Sequence, residues 1–191
     1  FGSFLAILFL YRKEIFKIVT DFFKYLKTKQ EKYKENYKYA WLIVVGTIPA
    51  GVFGIIFKDK IDSISDNVKL VGIALLITAC ALFLIKDSKG KKEKKEMTII
   101  DGVIIGLFQV IALFPGISRS GSTIVGGMTR DLKRETAVNY SFMLYLPISV
   151  ATLALGVKDL IDTPNVSELV LPYLLGMVAS MIVTYFSAKS V

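Results

Sequence analysis

The feature that most limits what this chain can become is the sorting of its charges, which gather in short blocks separated by uncharged, apolar runs of bilayer-crossing length. The run at 40–57 (AWLIVVGTIPAGVFGIIF) contains 18 uncharged residues. As a helix it would rise about 27 Å, close to the roughly 30 Å of a hydrocarbon core. Runs at 70–85, 140–157 and 169–187 are of the same kind, and 1–11 reads as part of a further span. With 53% apolar residues in 191 and a mean hydropathy of +0.56, the chain has more apolar surface than one soluble core of that size buries. The predicted fold is all-α: a polytopic helical membrane protein forming one integral membrane domain over 1–191. Pro49, Pro147 and Pro172 fall in or near the spans, where neighbouring helices can satisfy the carbonyls a proline frees.

The residue inventory removes several chemistries. Histidine is absent, so the commonest general base and metal ligand is missing. The single cysteine, Cys80, lies in an apolar run, which excludes a disulfide framework and a thiolate zinc site and fits a small helix-packing residue.

Lysine and arginine accumulate on the cytoplasmic side of membrane proteins, so the charge blocks give an orientation. Between Tyr11 and Ala40 nine basic residues face only Glu14, Asp21, Glu31 and Glu35, which predicts a cytoplasmic loop. The block from Lys86 to Met97 carries six lysines, and two spans after the first block it falls on the same face. The stretch from Lys58 to Lys69 balances its lysines with Asp59, Asp62 and Asp66; that from Lys158 to Glu168 carries Asp159, Asp162 and Glu168. Both are assigned to the outside. Topogenic charge accounts for the basic blocks without a nucleic-acid partner.

One segment breaks the pattern. From Gly102 to Phe114 the chain is apolar for about 13 residues, or roughly 20 Å of helix, before Pro115 stops it. Then comes Pro115-Gly-Ile-Ser-Arg-Ser-Gly-Ser-Thr123, a short apolar return, and the charged stretch Arg130, Asp131, Lys133, Arg134, Glu135. Both ends are basic, which predicts a re-entrant helical hairpin over 102–128 with its polar tip at membrane depth. Treating it as a full span would place the acidic 158–168 stretch inside.

Irregular backbone at that depth survives only in protein or beside a watery cavity, because an unsatisfied N–H or C=O in lipid costs several kcal/mol. Arg119 adds a guanidinium that costs at least ~2.5 kcal/mol in a membrane and persists mainly where an anion or carboxylate meets it. Gly116 and Gly121 permit close backbone approach, the returning helix offers N–H groups, and Ser118, Ser120, Ser122 and Thr123 add hydroxyls. Phosphate fits this inventory best. A plain helix break capped by its own hydroxyls would account for the glycines and serines but not for Arg119. No glycine-lysine-serine or -threonine follows the glycines, which disfavours a Walker-type nucleotide site. The histidine-dependent lipid phosphatases are excluded by composition, although a Ser-Arg pair occurs there too.

PGISRSGST, followed by GGM and RETAVNYSFMLYLP, resembles the second signature region of the undecaprenyl-diphosphate phosphatase family, the bacitracin-resistance membrane phosphatases. The resemblance runs from FGSFLAILFLYRK to the final spans. It implies removal of the terminal phosphate from a C55 polyprenyl diphosphate in the bacterial plasma membrane, which recycles the carrier lipid for cell-wall synthesis. It implies inverted repeats, each with a re-entrant hairpin, a cavity open to the outer face, and help from a divalent cation, Mg2+ or Ca2+. By position Ser118, Arg119 and Thr123 match the family's functional serine, arginine and threonine. Gln109, on the helix leading to the tip, joins Gly116, Ser120, Gly121 and Ser122 as a substrate-phosphate contact. Arg119 would neutralise the transferring phosphoryl group, Ser118 would be nucleophile or hydrogen-bond donor, and Thr123 would orient an oxygen. The family's first signature, rich in glutamate, would precede Phe1, and a last span would follow Val191. The expected metal ligands are therefore not in this chain, and the fragment alone is expected to show no metal-dependent phosphatase activity. The expected partners are the lipid substrate and membrane lipids, with no nucleic acid; a homo-oligomer is compatible with the sequence. A transporter or flippase of anionic polyprenyl lipid is the alternative, since broken helices aimed at anions are also transporter devices.

Overall fold

The computed structural model describes residues 1–65, 67–161 and 166–189. Asp66 and Asp162, assigned above to the outside, lie outside the described residues. The elements in chain order are α1 (Gly2–Thr28), α2 (Glu31–Ile56), α3 (Lys58–Ser65), α4 (Val68–Ile85), a 3-10 turn at Lys94–Glu96, α5 (Ile99–Ile111), α6 (Arg119–Thr129), α7 (Arg134–Ile161) and α8 (Val166–Lys189). The described residues form no named strand, and the protein is an all-α membrane protein. Among the described residues four stretches are long and apolar enough to cross a bilayer: Glu31–Ile56, Val68–Ile85, Arg134–Ala154 and Val170–Lys189. α5 and α6 are too short to do so.

The basic stretch from Tyr11 to Ala40, expected as a loop, is a helical hairpin broken only at Lys29 and Gln30. Lys29 takes a left-handed conformation (φ 53°) and its N–H closes on the Tyr25 carbonyl. The reason lies under the charges: Ile15, Ile18, Phe22 and Tyr25 recur at helical spacing and give α1 a face to pack. Phe22 stacks on Tyr37 at 5.2 Å, Tyr25 meets Tyr37 at 4.6 Å, and Asn36 Nδ2 donates to the buried Asp21 at 2.6 Å. The lysines ride outside, Lys32 lying 4.7 Å above the Tyr33 ring. The charge-balanced stretch after α2 is also helical, as α3.

The core sits where α2, α5 and α7 converge, on Tyr39, Leu42, Ile105, Tyr140 and Leu144. Glycines allow this approach: a Cβ on Gly106 would lie 2.5 Å from the Gly46 carbonyl oxygen, and one on Gly46 would lie 2.7 Å from the Tyr140 hydroxyl. That hydroxyl donates to the Leu42 carbonyl at 2.5 Å. Outside this core the helices present Leu75, Leu76, Phe83, Leu84, Leu174 and Leu175 outward, as lipid-facing helices do.

α5 and α6 run as a hairpin whose two ends are tied together. Thr98 caps α5 with Asp101 in a reciprocal capping box. Asp101, fully buried, accepts from Arg130 Nε at 2.8 Å and from Lys92 Nζ at 3.4 Å. The Lys91 and Lys92 N–H groups donate to the Asp131 carbonyl at 2.9 and 2.8 Å, and the Lys133 N–H donates to the Lys92 carbonyl at 2.9 Å. The chain therefore enters and leaves this hairpin at one place, among lysines and arginines.

Candidate active site

The hairpin turns between Ile111 and Arg119. Gly116 adopts φ +94°, and a Cβ there would lie 2.5 Å from the Val71 carbonyl oxygen of α4, so both its conformation and its space require glycine. Two residues on, the Ser118 N–H donates to Thr78 Oγ1 of α4 at 3.2 Å, while Thr78 donates to the Ala74 carbonyl at 3.1 Å. Ser118 Oγ then accepts the Gly121 N–H at 3.2 Å and caps α6. The turn is thus held by α4 on one side and begins a helix on the other.

Arg119 and Ser120, the first residues of α6, line a cavity of about 580 Å³ enclosed by the tip, α1, α7 and α8. Across from them one face of α7 contributes Ser141, Tyr145, Ser149 and Thr152, spaced four, four and three residues apart. Ser3 and Thr184, joined at 2.9 Å, close the far wall, and Phe4, Ile7, Phe142 and Leu153 make the apolar part. Among the described residues, Arg119 is the cavity's one charged side chain and has no acidic partner within 4 Å. Its guanidinium lies 6.0 Å from the Tyr145 ring centroid. A half-buried cation against hydroxyls and one aromatic ring can receive an anion.

The sequence-predicted residues divide. Arg119 and Ser120 face the cavity. Ser118 is half-buried beside Arg119 with its oxygen used as the cap. Gly116 and Gly121 shape the backbone, a Cβ on Gly121 meeting Ser118 Oγ at 3.1 Å. Thr123 is 1% exposed behind the cavity wall, its Oγ1 lying 3.1 Å from both the Arg119 and Ser120 carbonyl oxygens and 2.5 Å from Ser141 Oγ. Ser122 is half-buried and not in the lining. Gln109 is not brought to the cavity either: it is buried, with Nε2 donating to the Gly46 carbonyl at 3.4 Å and Oε1 without a hydrogen-bond partner among the described residues.

Sequence reasoning missed Thr78 and Ser141. Thr78 is one hydroxyl in an apolar run and carries no local sign of its partner. Ser141 had a signal in its spacing with Tyr145, Ser149 and Thr152, which places four hydroxyls along one side of a span.

The donor set does not suit a divalent cation. Hard cations take carboxylate and carbonyl oxygens, and no group of three or more histidine, cysteine, aspartate or glutamate side chains forms among the described residues. The residues present fit the anion and not the metal.

The family model for the Bacitracin resistance protein BacA matches residues 1–191. A Bacillus licheniformis protein named undecaprenyl-diphosphatase 1 is 44% identical over 189 residues, 98% of this chain and 70% of the relative. A Bacillus cereus protein of the same name is 42% identical over 188 residues, with the same coverage of each chain. An Oceanobacillus iheyensis undecaprenyl-diphosphatase is 37% identical over 190 residues, 98% of this chain and 69% of the relative.

Proposed function

The chain belongs to the bacitracin resistance protein BacA family, and from that premise we propose that the Arg119 cavity binds the diphosphate of the lipid substrate at its terminal phosphoryl group. The activity is hydrolysis of undecaprenyl diphosphate to undecaprenyl phosphate and inorganic phosphate, which recycles the carrier lipid for cell-wall synthesis and confers bacitracin resistance. The observation that carries the site assignment is Arg119 itself: a cation without an acidic partner among the described residues, at the start of a helix, in a cavity whose other polar groups are hydroxyls.

Arg119 acts through its planar fork, which can hold two phosphoryl oxygens while charge develops on them. Ser120 supplies a second contact from the same turn. Ser118, next to Arg119 but outside the cavity lining, accepts the Gly121 N–H through a lone pair, which leaves its own proton free to donate. The described residues of this cavity offer a divalent cation no cluster of carboxylates, so the charge on the phosphoryl group is met here by Arg119.

The cavity opens toward the outer face of the bacterial plasma membrane in this reading. The lysine-rich base of the hairpin marks the cytoplasmic side, and Ser149, Thr152 and Phe4 line the cavity at the end of α7 away from Arg134 and at the start of α1. Phosphate release from undecaprenyl diphosphate by the protein in detergent tests the reading. A transporter needs two compartments and would release none.

A further inference from the structure

Thr123 matches the family's functional threonine, yet its hydroxyl does not reach the cavity. The side chain is 1% exposed and sits 3.1 Å from two carbonyl oxygens of its own helix. A threonine hydroxyl has one proton to give. Donated to the Arg119 or Ser120 carbonyl, it leaves Thr123 Oγ1 as an acceptor for the Ser141 hydroxyl 2.5 Å away. Donated to Ser141 Oγ instead, it frees the Ser141 proton to point elsewhere. Ser141 is the member of this pair that lines the cavity, with Arg119, Ser120 and Tyr145. Among the described residues its other bond is a long one, 3.4 Å, to the Ser120 carbonyl.

We propose that Ser141 of α7 donates a hydrogen bond to a phosphoryl oxygen of the bound diphosphate, beside Arg119, and that Thr123 is a positioning residue acting through it. This rests on the assignment of the cavity as the diphosphate site. With the Thr123 proton given to a carbonyl of its own helix, Thr123 Oγ1 accepts the Ser141 proton. When a phosphoryl oxygen arrives, the Ser141 hydroxyl turns about one side-chain torsion toward it, and Thr123 donates behind it. The resulting chain, Thr123 O–H to Ser141 O–H to phosphoryl oxygen, polarises each bond along it. No covalent bond changes in this step. Ser141 is held from two directions, by its place on α7 and by α6 through Thr123, so its oxygen is placed before substrate binds and only its proton has to turn.

The test is a double-mutant cycle on undecaprenyl diphosphate hydrolysis by the whole protein in detergent, with thermal unfolding recorded for every variant. Ser141→Ala is expected to lower kcat/KM about a hundredfold, the loss typical of one preorganised donor to developing charge. Thr123→Val, which keeps the shape and removes the hydroxyl, is expected to lower it about tenfold alone and by less than twofold in the Ser141→Ala background, because its effect passes through Ser141. Full multiplication of the two losses would overturn the positioning role. Unchanged kcat/KM in folded Ser141→Ala, with Arg119→Ala inactive, would overturn the Ser141 contact while leaving the cavity assignment standing. Unchanged activity in Arg119→Ala would reject the cavity assignment itself. Should Ser141→Ala fail to fold, Ser141→Cys, of similar volume and a weak donor, has the same expected and contradicting outcomes.

Discussion

Arg130, at the end of α6, closes on Asp101, in the first turn of α5, with Nε 2.8 Å from Oδ1, so that the hairpin is pinned at its base by the residues that flank it. The pin is separate from the tip: Asp101 is fully buried at the opposite end of α5 from Ala112 of the cavity wall. The hairpin thus has a fixed base, and its turn is supported by α4.

Removing the anchor should loosen the hairpin. Asp101→Ala leaves Arg130 and Lys92 without their shared partner and removes the reciprocal half of the α5 capping box. Both cations are about one-third exposed, so water recovers part of the loss, and the cost should fall at or below the roughly 3 kcal/mol typical of breaking a buried pair. Thermal unfolding in detergent measures it. Burial raises the Asp101 carboxyl, but the Thr98 N–H, Arg130, the Thr98 hydroxyl and Lys92 outweigh it and hold the group below its ordinary range. Its stabilisation is therefore complete above the unfolded value of about 3.9 and is lost as pH falls through the depressed folded one. Asp101→Asn should flatten that acid limb.

Close packing of α5 on α2 gives a second prediction. Gly106→Ala places a methyl 2.5 Å from the Gly46 carbonyl oxygen and 3.1 Å from its Cα, where only backbone can yield, and should cost about 1 to 3 kcal/mol. Gly51→Ala meets nothing within 4 Å and should be neutral or stabilising by up to about 1 kcal/mol. Equal melting temperatures for the two would remove the tight interface from the account.

Much of this was legible in the chain, and the remainder was hidden for identifiable reasons. The shortness of the apolar run before Pro115 already separates the hairpin from a span, because length alone decides crossing. The helical hairpin from Tyr11 to Ala40 escaped because its nine basic residues dominate any average over the segment, although Ile15, Ile18, Phe22 and Tyr25 keep a helical period beneath them. Gln109 was misplaced by adjacency to the tip. It shares a helix face with Gly102 and Gly106, seven and three residues before it, and that face meets α2. Thr78 bonds to the hairpin turn from another helix, which spacing along one helix does not specify, and the spacing of Ser141 gives its face of α7 but not its Thr123 partner.

The orientation can be read with an impermeant thiol reagent on intact cells, in a Cys80→Ala background because Cys80 is exposed. Cysteines at Lys29 and Lys91 should be protected and one at Ser63 in α3 should label. Labelling at Lys91 with protection at Ser63 would invert the topology and place the cavity on the cytoplasmic side.

The central claim is that Arg119 clamps a phosphoryl group by geometry and not by charge alone, and Arg119→Lys in the whole protein tests it most directly. The substitution keeps the cation but exchanges a planar fork for a compact ammonium on a flexible stem. Hydrolysis of undecaprenyl diphosphate, measured as phosphate released in detergent by correctly folded protein, should fall roughly a hundredfold to a thousandfold, the loss expected when about 2.7 to 4 kcal/mol of transition-state stabilisation is removed. Near-normal turnover by Arg119→Lys would contradict the account and reduce Arg119 to a general counter-charge.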